Sequence, residues 1–428
     1  MNRELGRKAS NSRPPTRSDI LLTDTSRWAL AARLAIAFTK AGASVSAVCP
    51  TPGHPLAKTR LVSRIFHYSG IRPLESLANA IVKTNPQFVI PCDDRGVQYL
   101  HELYANARGM GAAGRAITAL VERSLGSPAS YAIVSSRYDL LRIAEEEGIR
   151  VPEMSEVRIT DDLDSWHTRQ RLPYVLKADG TWGGRGVKIV QAQSQAKEFF
   201  GELTQLFGIA RVLKRCFVNR DAFWLRPWWK DSKPAVIAQS HIQGRPANCS
   251  VACYQGKVVG AIAVEVVSAQ GATGPASVVR VVENPEMIRA GERIAHRLGL
   301  SGFFGLDFMI EQGSGDLYLI EMNPRCTPPC HLNLGKNRDL VGSLWSQMSG
   351  EPYSESPAVT QKELIAYFPQ AWTINSEFLQ SSFQDIPQEV PELVEELRRP
   401  WPDRSMLFRA SNYFHRMITA SSALTSKS

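Results

Sequence analysis

The stretch Gly302-Phe-Phe-Gly-Leu-Asp-Phe-Met-Ile310, followed by Leu317-Tyr-Leu-Ile-Glu-Met-Asn-Pro-Arg325, constrains this chain more than any other. Both halves are apolar runs of strand length. Gln312-Gly-Ser-Gly-Asp316 between them is turn chemistry, so the runs are expected to pair as a hairpin. Side chains alternate between the faces of a strand, which puts Glu321 and Asn323 on one face and lets Asp307 oppose them. Two carboxylates and an amide oxygen are hard oxygen donors that suit Mg²⁺, or Mn²⁺, carrying a nucleotide phosphate. Arg325 adds a guanidinium fork for an oxyanion. A hairpin with solvated polar residues would show the same pattern, so a second motif has to decide.

Leu172-Pro-Tyr-Val-Leu-Lys-Ala-Asp-Gly-Thr-Trp-Gly-Gly-Arg-Gly-Val-Lys-Ile-Val190 supplies it. An apolar strand delivers Lys177, and a loop with Gly180, Gly183, Gly184 and Gly186 follows before strand character resumes at Val187. Backbone amides in such a loop approach phosphate oxygens closely because no Cβ intervenes. A lysine at the end of the preceding strand neutralises phosphate as a point charge. The pattern is neither a Walker A loop nor G-x-G-x-x-G, since strand rather than helix follows it.

In this order the two motifs resemble the ATP-grasp superfamily, in particular the synthetase domains of carbamoyl-phosphate synthetase large subunits and the small carboxylate–amine ligases built like them. Ser136-Arg-Tyr-Asp-Leu-Leu-Arg-Ile-Ala-Glu-Glu-Glu-Gly-Ile-Arg-Val-Pro152 and Val236-Ile-Ala-Gln-Ser-His-Ile-Gln-Gly-Arg-Pro-Ala-Asn248 belong to the same likeness, which runs from about residue 20 to about residue 350. The resemblance implies an α/β fold: an N-terminal parallel α/β domain of the pre-ATP-grasp kind, then a two-part ATP-grasp domain. It implies ATP and Mg²⁺ as cofactors. It assigns Asp307, Glu321 and Asn323 to the metal, and Arg137, Lys177, Gly183, Gly184 and Gly186 to the phosphates. The hinge Gln239, Ser240, His241 and Ile242 would read adenine, and Asn248 would stand near the ribose. Two departures are visible: the hinge often carries glutamate where Ser240 stands, and the ribose acid is replaced by uncharged Asn248. The implied chemistry is activation of a small-molecule carboxylate as an acyl phosphate for attack by an amine, with Lys177 and Arg325 as catalytic residues. A phosphotransferase or carboxylating synthetase in the same cleft, and a non-catalytic nucleotide-binding regulator, are the alternatives.

Composition narrows the setting. The 428 residues exceed one ordinary core and predict two to three domains. No run reaches the roughly 18 apolar residues of a membrane helix, since Val258 to Val267 already contains Glu265. Seven cysteines at irregular spacing form no disulfide framework and suit a reducing, cytoplasmic setting. Cys326, Cys330 and His331 lack a second pair at zinc-site spacing. The net charge of +9 is scattered rather than striped, which disfavours nucleic acid and suits anionic small molecules. The Trp-rich stretch 223–230 is read as a packed excursion between strands rather than a single-strand groove. Family members are often dimers, which leaves a homodimer open.

Along the chain, residues 1–18 read as a basic disordered tail, 19–128 as the α/β domain, 129–352 as the ATP-grasp domain with its lid at about 157–238, and 353–428 as an extension of unknown role. Phe88-Val-Ile-Pro91 ends at Asp93 and Asp94. Ligands gather beyond the carboxyl ends of parallel strands, so these two are substrate candidates, with a helix N-cap as the competing role. Arg280, after the loop Ala269 to Ser277, is a candidate anion contact at the cleft. Leu364 to Phe368 is expected to add a strand, Val390 to Arg399 a helix, and 406–417 an amphipathic helix.

Overall fold

The computed structural model describes residues 19–107, 109, 111–180, 186–204, 234–271 and 274–399. The N-terminal tail, Gly183 and Gly184, the Trp-rich stretch 223–230 and the helix expected at 406–417 lie outside them.

Three sheets organise the chain. The first is parallel, in the order β3-β2-β1-β4, from β1 (Ile20–Thr23), β2 (Val45–Cys49), β3 (Val62–His67) and β4 (Phe88–Pro91). Its central strands are apolar on both faces because helices cover both. The helix Ala29–Lys40 lies on one side, and the helices Pro73–Thr84, Asp94–Ala107 and Gly111–Leu125 lie on the other. Strand order reverses between β1 and β4, so a crevice opens beyond Thr23 and Pro91, where Asp93 and Asp94 stand.

A small antiparallel sheet comprises β5 (Met154–Val157), β6 (Tyr174–Ala178), β7 (Val187–Val190) and β8 (Val236–Ser240), in the order β5-β8-β6-β7. Tyr174, Leu176, Ala178, Val236 and Ala238 pack on the helices Thr160–Arg169 and Gln193–Thr204. The pleat therefore turns Lys177 to the opposite face.

The third sheet holds β9 (Gly244–Tyr254), β10 (Lys257–Ala269), β11 (Ala276–Val282), β12 (Gly302–Glu311), β13 (Leu317–Asn323), β14 (Leu364–Tyr367) and β15 (Phe383–Asp385), ordered β13-β12-β9-β10-β11-β14-β15. One face packs on the helices Arg137–Glu146 and Pro285–Leu298. The other meets the helix Leu340–Ser349 and shares a core with the first sheet. β12 and β13 form the expected antiparallel hairpin, with a bulge after Asp307.

The C-terminal segment returns to both units. β14 pairs antiparallel with β11, and β15 runs parallel beside β14. The helix Pro391–Arg398 then buries Leu393 and Leu397 against Ala32 and Ile36. Ion pairs Arg27–Glu396, Arg33–Asp385, Lys40–Glu389 and Arg60–Glu392 line this seam, and His331 shares Asp385 at 2.9 Å. Among the described residues no helix is long and apolar enough to cross a membrane.

Candidate active site

The hairpin places its polar residues as the alternation predicts. Asp307 lies directly opposite Glu321 on β13 and opposite Asn248 on β9. The Asn248 amide donates to Asp307 Oδ1 at 2.6 Å, and the Asn323 amide donates to Oδ2 at 2.7 Å. Asn323 Oδ1 accepts from Arg325 Nη2 at 3.1 Å, and Arg325 Nε donates to Asp94 Oδ2 at 2.8 Å. Asp94 comes from the crevice of the first sheet. The Arg325–Asp94 pair thus joins the parallel unit to the hairpin at the cleft.

From the other side the small sheet brings Lys177, only 5% exposed, whose Nζ donates to the Ile320 carbonyl at 3.1 Å. Ser136 caps the next helix by accepting from the Asp139 amide, which sets Arg137 at the first turn facing β13. The Arg137 guanidinium donates to Glu321 Oε1 from Nη2 at 2.7 Å and from Nε at 3.2 Å, and Nη1 reaches the Ala178 carbonyl at 2.6 Å. Asp179, at the head of the glycine loop, takes Nη1 and the Arg137 backbone amide, both at 3.4 Å.

The electrostatics of this cluster are unbalanced. Among the described residues Asp94, Asp179, Asp307 and Glu321 face Arg137, Lys177 and Arg325, so one negative charge has no counterpart there. Burial and then the Glu321 charge push the Asp307 carboxyl up to about 6. Burial acts the same way on Glu321, but the Arg137 and Lys177 charges outweigh it and hold that carboxyl below its ordinary range. Burial brings Lys177 down to about 8 against the pull of Glu321.

A divalent cation would resolve the imbalance. Among the described residues no three His, Cys, Asp or Glu side chains are arranged to hold a metal ion. A cation between Asp307 and Glu321 therefore draws on the Asn323 oxygen, whose second lone pair remains after the Arg325 bond. These residues fit Mg²⁺ bound together with phosphate oxygens better than a site built from protein ligands alone.

The hinge runs from β8 into β9. Ser240 is held by its amide to the Glu153 carbonyl at 2.8 Å and by its hydroxyl to Gln170 at 3.0 Å. Gln239 faces the Lys177 side of the small sheet, and its buried Nε2 has no hydrogen-bond partner among the described residues. No hydrogen bond among the described residues engages the backbone of His241 or Ile242, whose polar edges suit a purine. Gly244 closes the hinge against the hairpin: a Cβ there would lie 1.9 Å from the Ile310 carbonyl oxygen, so only glycine lets the strands meet. Gly186 accepts from the Ala178 amide at 2.9 Å and closes the base of the glycine loop.

Two expected contacts fall elsewhere. Arg280 pairs across to Glu265, Glu265 to Ala247 and Ala247 to Phe308, whereas Val281, Val264, Asn248 and Asp307 form the neighbouring row. Directly paired residues share a face, so Arg280 projects from the face opposite Asp307 and does not border the cleft. Asp93 serves as helix cap: Oδ1 takes the Gly96 amide at 2.7 Å, and Oδ2 takes the Thr25 amide and hydroxyl at 2.8 and 2.7 Å. Asn248, the expected ribose contact, spends one amide proton on Asp307. Asp179 went unnoticed in the sequence, where a carboxylate two residues past Lys177 was its only signal.

Residues 134–329 match the family model of the ATP-grasp domain. The chain carries an ATP-grasp domain. Such a domain uses ATP with Mg²⁺, and the charge deficit and oxygen donors above fit that pair. The carbamoyl-phosphate synthase of Methanobrevibacter smithii is 22% identical over 202 residues, 45% of this chain and 46% of that one, so the match spans about half of its length. Among solved structures, a biotin carboxylase complex from Campylobacter jejuni superposes with a TM-score of 0.56 at 14% identity, covering 81% of this chain and 73% of that one. The ADP complex of N5-carboxyaminoimidazole synthetase from Staphylococcus aureus gives 0.51 at 13%, covering 73% and 72%. At such identities the likeness speaks for the fold alone.

Proposed function

We propose that the chain is an ADP-forming ligase that activates a small-molecule carboxylate and transfers its acyl group to an amine. One observation carries the reading: Lys177, Arg137, Asp307, Glu321, Asn323 and Arg325, drawn from three segments far apart in sequence, converge on one cleft. ATP would lie between the small and large sheets, with adenine at His241 and Ile242. Mg²⁺ at Asp307, Glu321 and Asn323 would offset phosphate charge. Lys177 and Arg137 would turn from β13 to the phosphates and hold the γ-phosphorus in line with the attacking carboxylate oxygen. ADP leaves as the acyl phosphate forms. The amine then attacks the carbonyl carbon, loses a proton and expels inorganic phosphate. Arg325 would neutralise oxygen charge in the second step, and Asp94, anchored on it, would accept a hydrogen bond from the neutral amine.

We further propose a parallel α/β unit over residues 19–128 as the substrate platform, a grasp unit over 129–352 and an extension from 353. A cytoplasmic setting with small-molecule partners goes with this reading. The experiment is release of ADP and phosphate from Mg²⁺-ATP against a panel of carboxylates, bicarbonate included, with and without amines. Release requiring one acid and one amine establishes the ligase. Release on bicarbonate without amine gives the carboxylating chemistry instead. Turnover that persists unchanged in Glu321→Gln and Arg325→Ala would sink the assignment.

A further inference from the structure

Arg137 is held by two carboxylates whose availability differs once the site fills. Glu321 takes Nε and Nη2, while Asp179 takes Nη1 and the backbone amide of the same residue. Glu321 faces Asp307 across the hairpin, where a cation would sit. Asp179 follows directly on β6 of the small sheet, and its own amide is fixed to the Ala235 carbonyl at 2.8 Å. The side chain is 17% exposed, so it lies within the cleft wall and not in open solvent.

We propose that Asp179 is the positioning residue that keeps Arg137 in place when Glu321 turns to Mg²⁺. In the nucleotide-free protein both carboxylates carry the guanidinium, and loss of either is covered by the other. With Mg²⁺-nucleotide bound, Glu321 would divide its oxygens with the cation, and Asp179 with the Ala178 carbonyl would go on holding the guanidinium. That anchor holds the planar fork toward the phosphates and ties it to the end of β6. Asp179 also opposes capture of Glu321 by Arg137, which would otherwise compete with the metal. The inference rests on the nucleotide reading above and adds a residue outside its metal and phosphate sets.

The test is binding of Mg²⁺ with a non-hydrolysable ATP analogue, by calorimetry and thermal shift, to wild type, Asp179→Asn and Asp179→Glu. We expect Asp179→Asn to melt with wild type when nucleotide-free, to bind the Mg²⁺-analogue about tenfold more weakly, as loss of one charge-assisted bond gives, and to need more Mg²⁺ for half-saturation. Asp179→Glu restores most of the affinity. A lowered nucleotide-free melting point with an unchanged increment on binding would mean a merely structural residue and overturn the inference. Equal affinity in Asp179→Asn and wild type would overturn it as well, leaving the nucleotide site intact. A wild type that gains nothing from the Mg²⁺-analogue overturns the nucleotide reading itself, and this inference with it.

Discussion

Replacing Asp307 by asparagine should make the protein more stable and less able to use Mg²⁺. Burial and the facing Glu321 charge raise this carboxyl from an ordinary 3.8 to about 6. A tenfold change in a proton equilibrium is worth about 1.4 kcal/mol, so ionising Asp307 in the fold costs on the order of 3 kcal/mol more than in the unfolded chain. Asparagine removes that cost but keeps only one of the two accepted bonds, because its NH₂ meets the amide of Asn248 or of Asn323. The lost bond takes back about 1 kcal/mol, which leaves a net gain of about 1–2 kcal/mol at pH 7.5. The sign fixes the pH dependence. The folded state binds this proton more tightly than the unfolded state, so the wild-type penalty is absent near pH 4, develops between 4 and 6, and is complete above. Urea unfolding at pH 4 and 7.5 reads the difference, and thermal shift with Mg²⁺-nucleotide reads the lost metal response. An Asp307→Asn protein less stable than wild type at pH 7.5, or a difference equal at both pH values, would refute the charge argument.

Other outcomes follow from the same geometry. Mg²⁺-nucleotide binding, followed by calorimetry, should be strongest between about pH 6 and 8, because Asp307 takes up a proton below that window and Lys177 loses one above it. Glu321→Gln and Arg325→Ala should each lower ADP release at least a hundredfold while circular dichroism is unchanged. Arg280→Ala should leave turnover within twofold, since its row of the sheet faces away from the cleft. Leu393→Ala, at a fully buried site against the first helix, should cost about 2–4 kcal/mol in urea unfolding.

The hairpin was legible in the sequence because strand alternation and turn chemistry are local. Once β12 and β13 pair, Asp307, Glu321 and Asn323 can meet in only one way. Lys177 was legible for the same reason, as the end of a strand beside a glycine loop. Arg280 was not: the face a residue takes in a seven-stranded sheet depends on register with strands distant in sequence, and one residue of offset reverses it. Asp93 and Asp94 are adjacent and alike on paper. Only the helix start at Asp94 and the reach of Arg325 send one into the cap and the other into the cleft. The partnership of Asp179 with Arg137 spans 42 positions, and nothing local announces it.

The return of the C-terminal segment has a mechanical consequence. The parallel unit is fastened to the large sheet through their shared core, by Arg325 to Asp94 at the cleft, and by β14, β15 and the Pro391–Arg398 helix at the far side. Fastenings on both sides of a shared core oppose rotation of one unit on the other. Among the described residues the small sheet meets these units through the hinge, the segment before β5 and the contacts of Lys177 and Arg137, and a nucleotide would exchange only those side-chain contacts. If the cleft opens and closes, the small sheet is the part free to swing, and the parallel unit keeps its register with the hairpin.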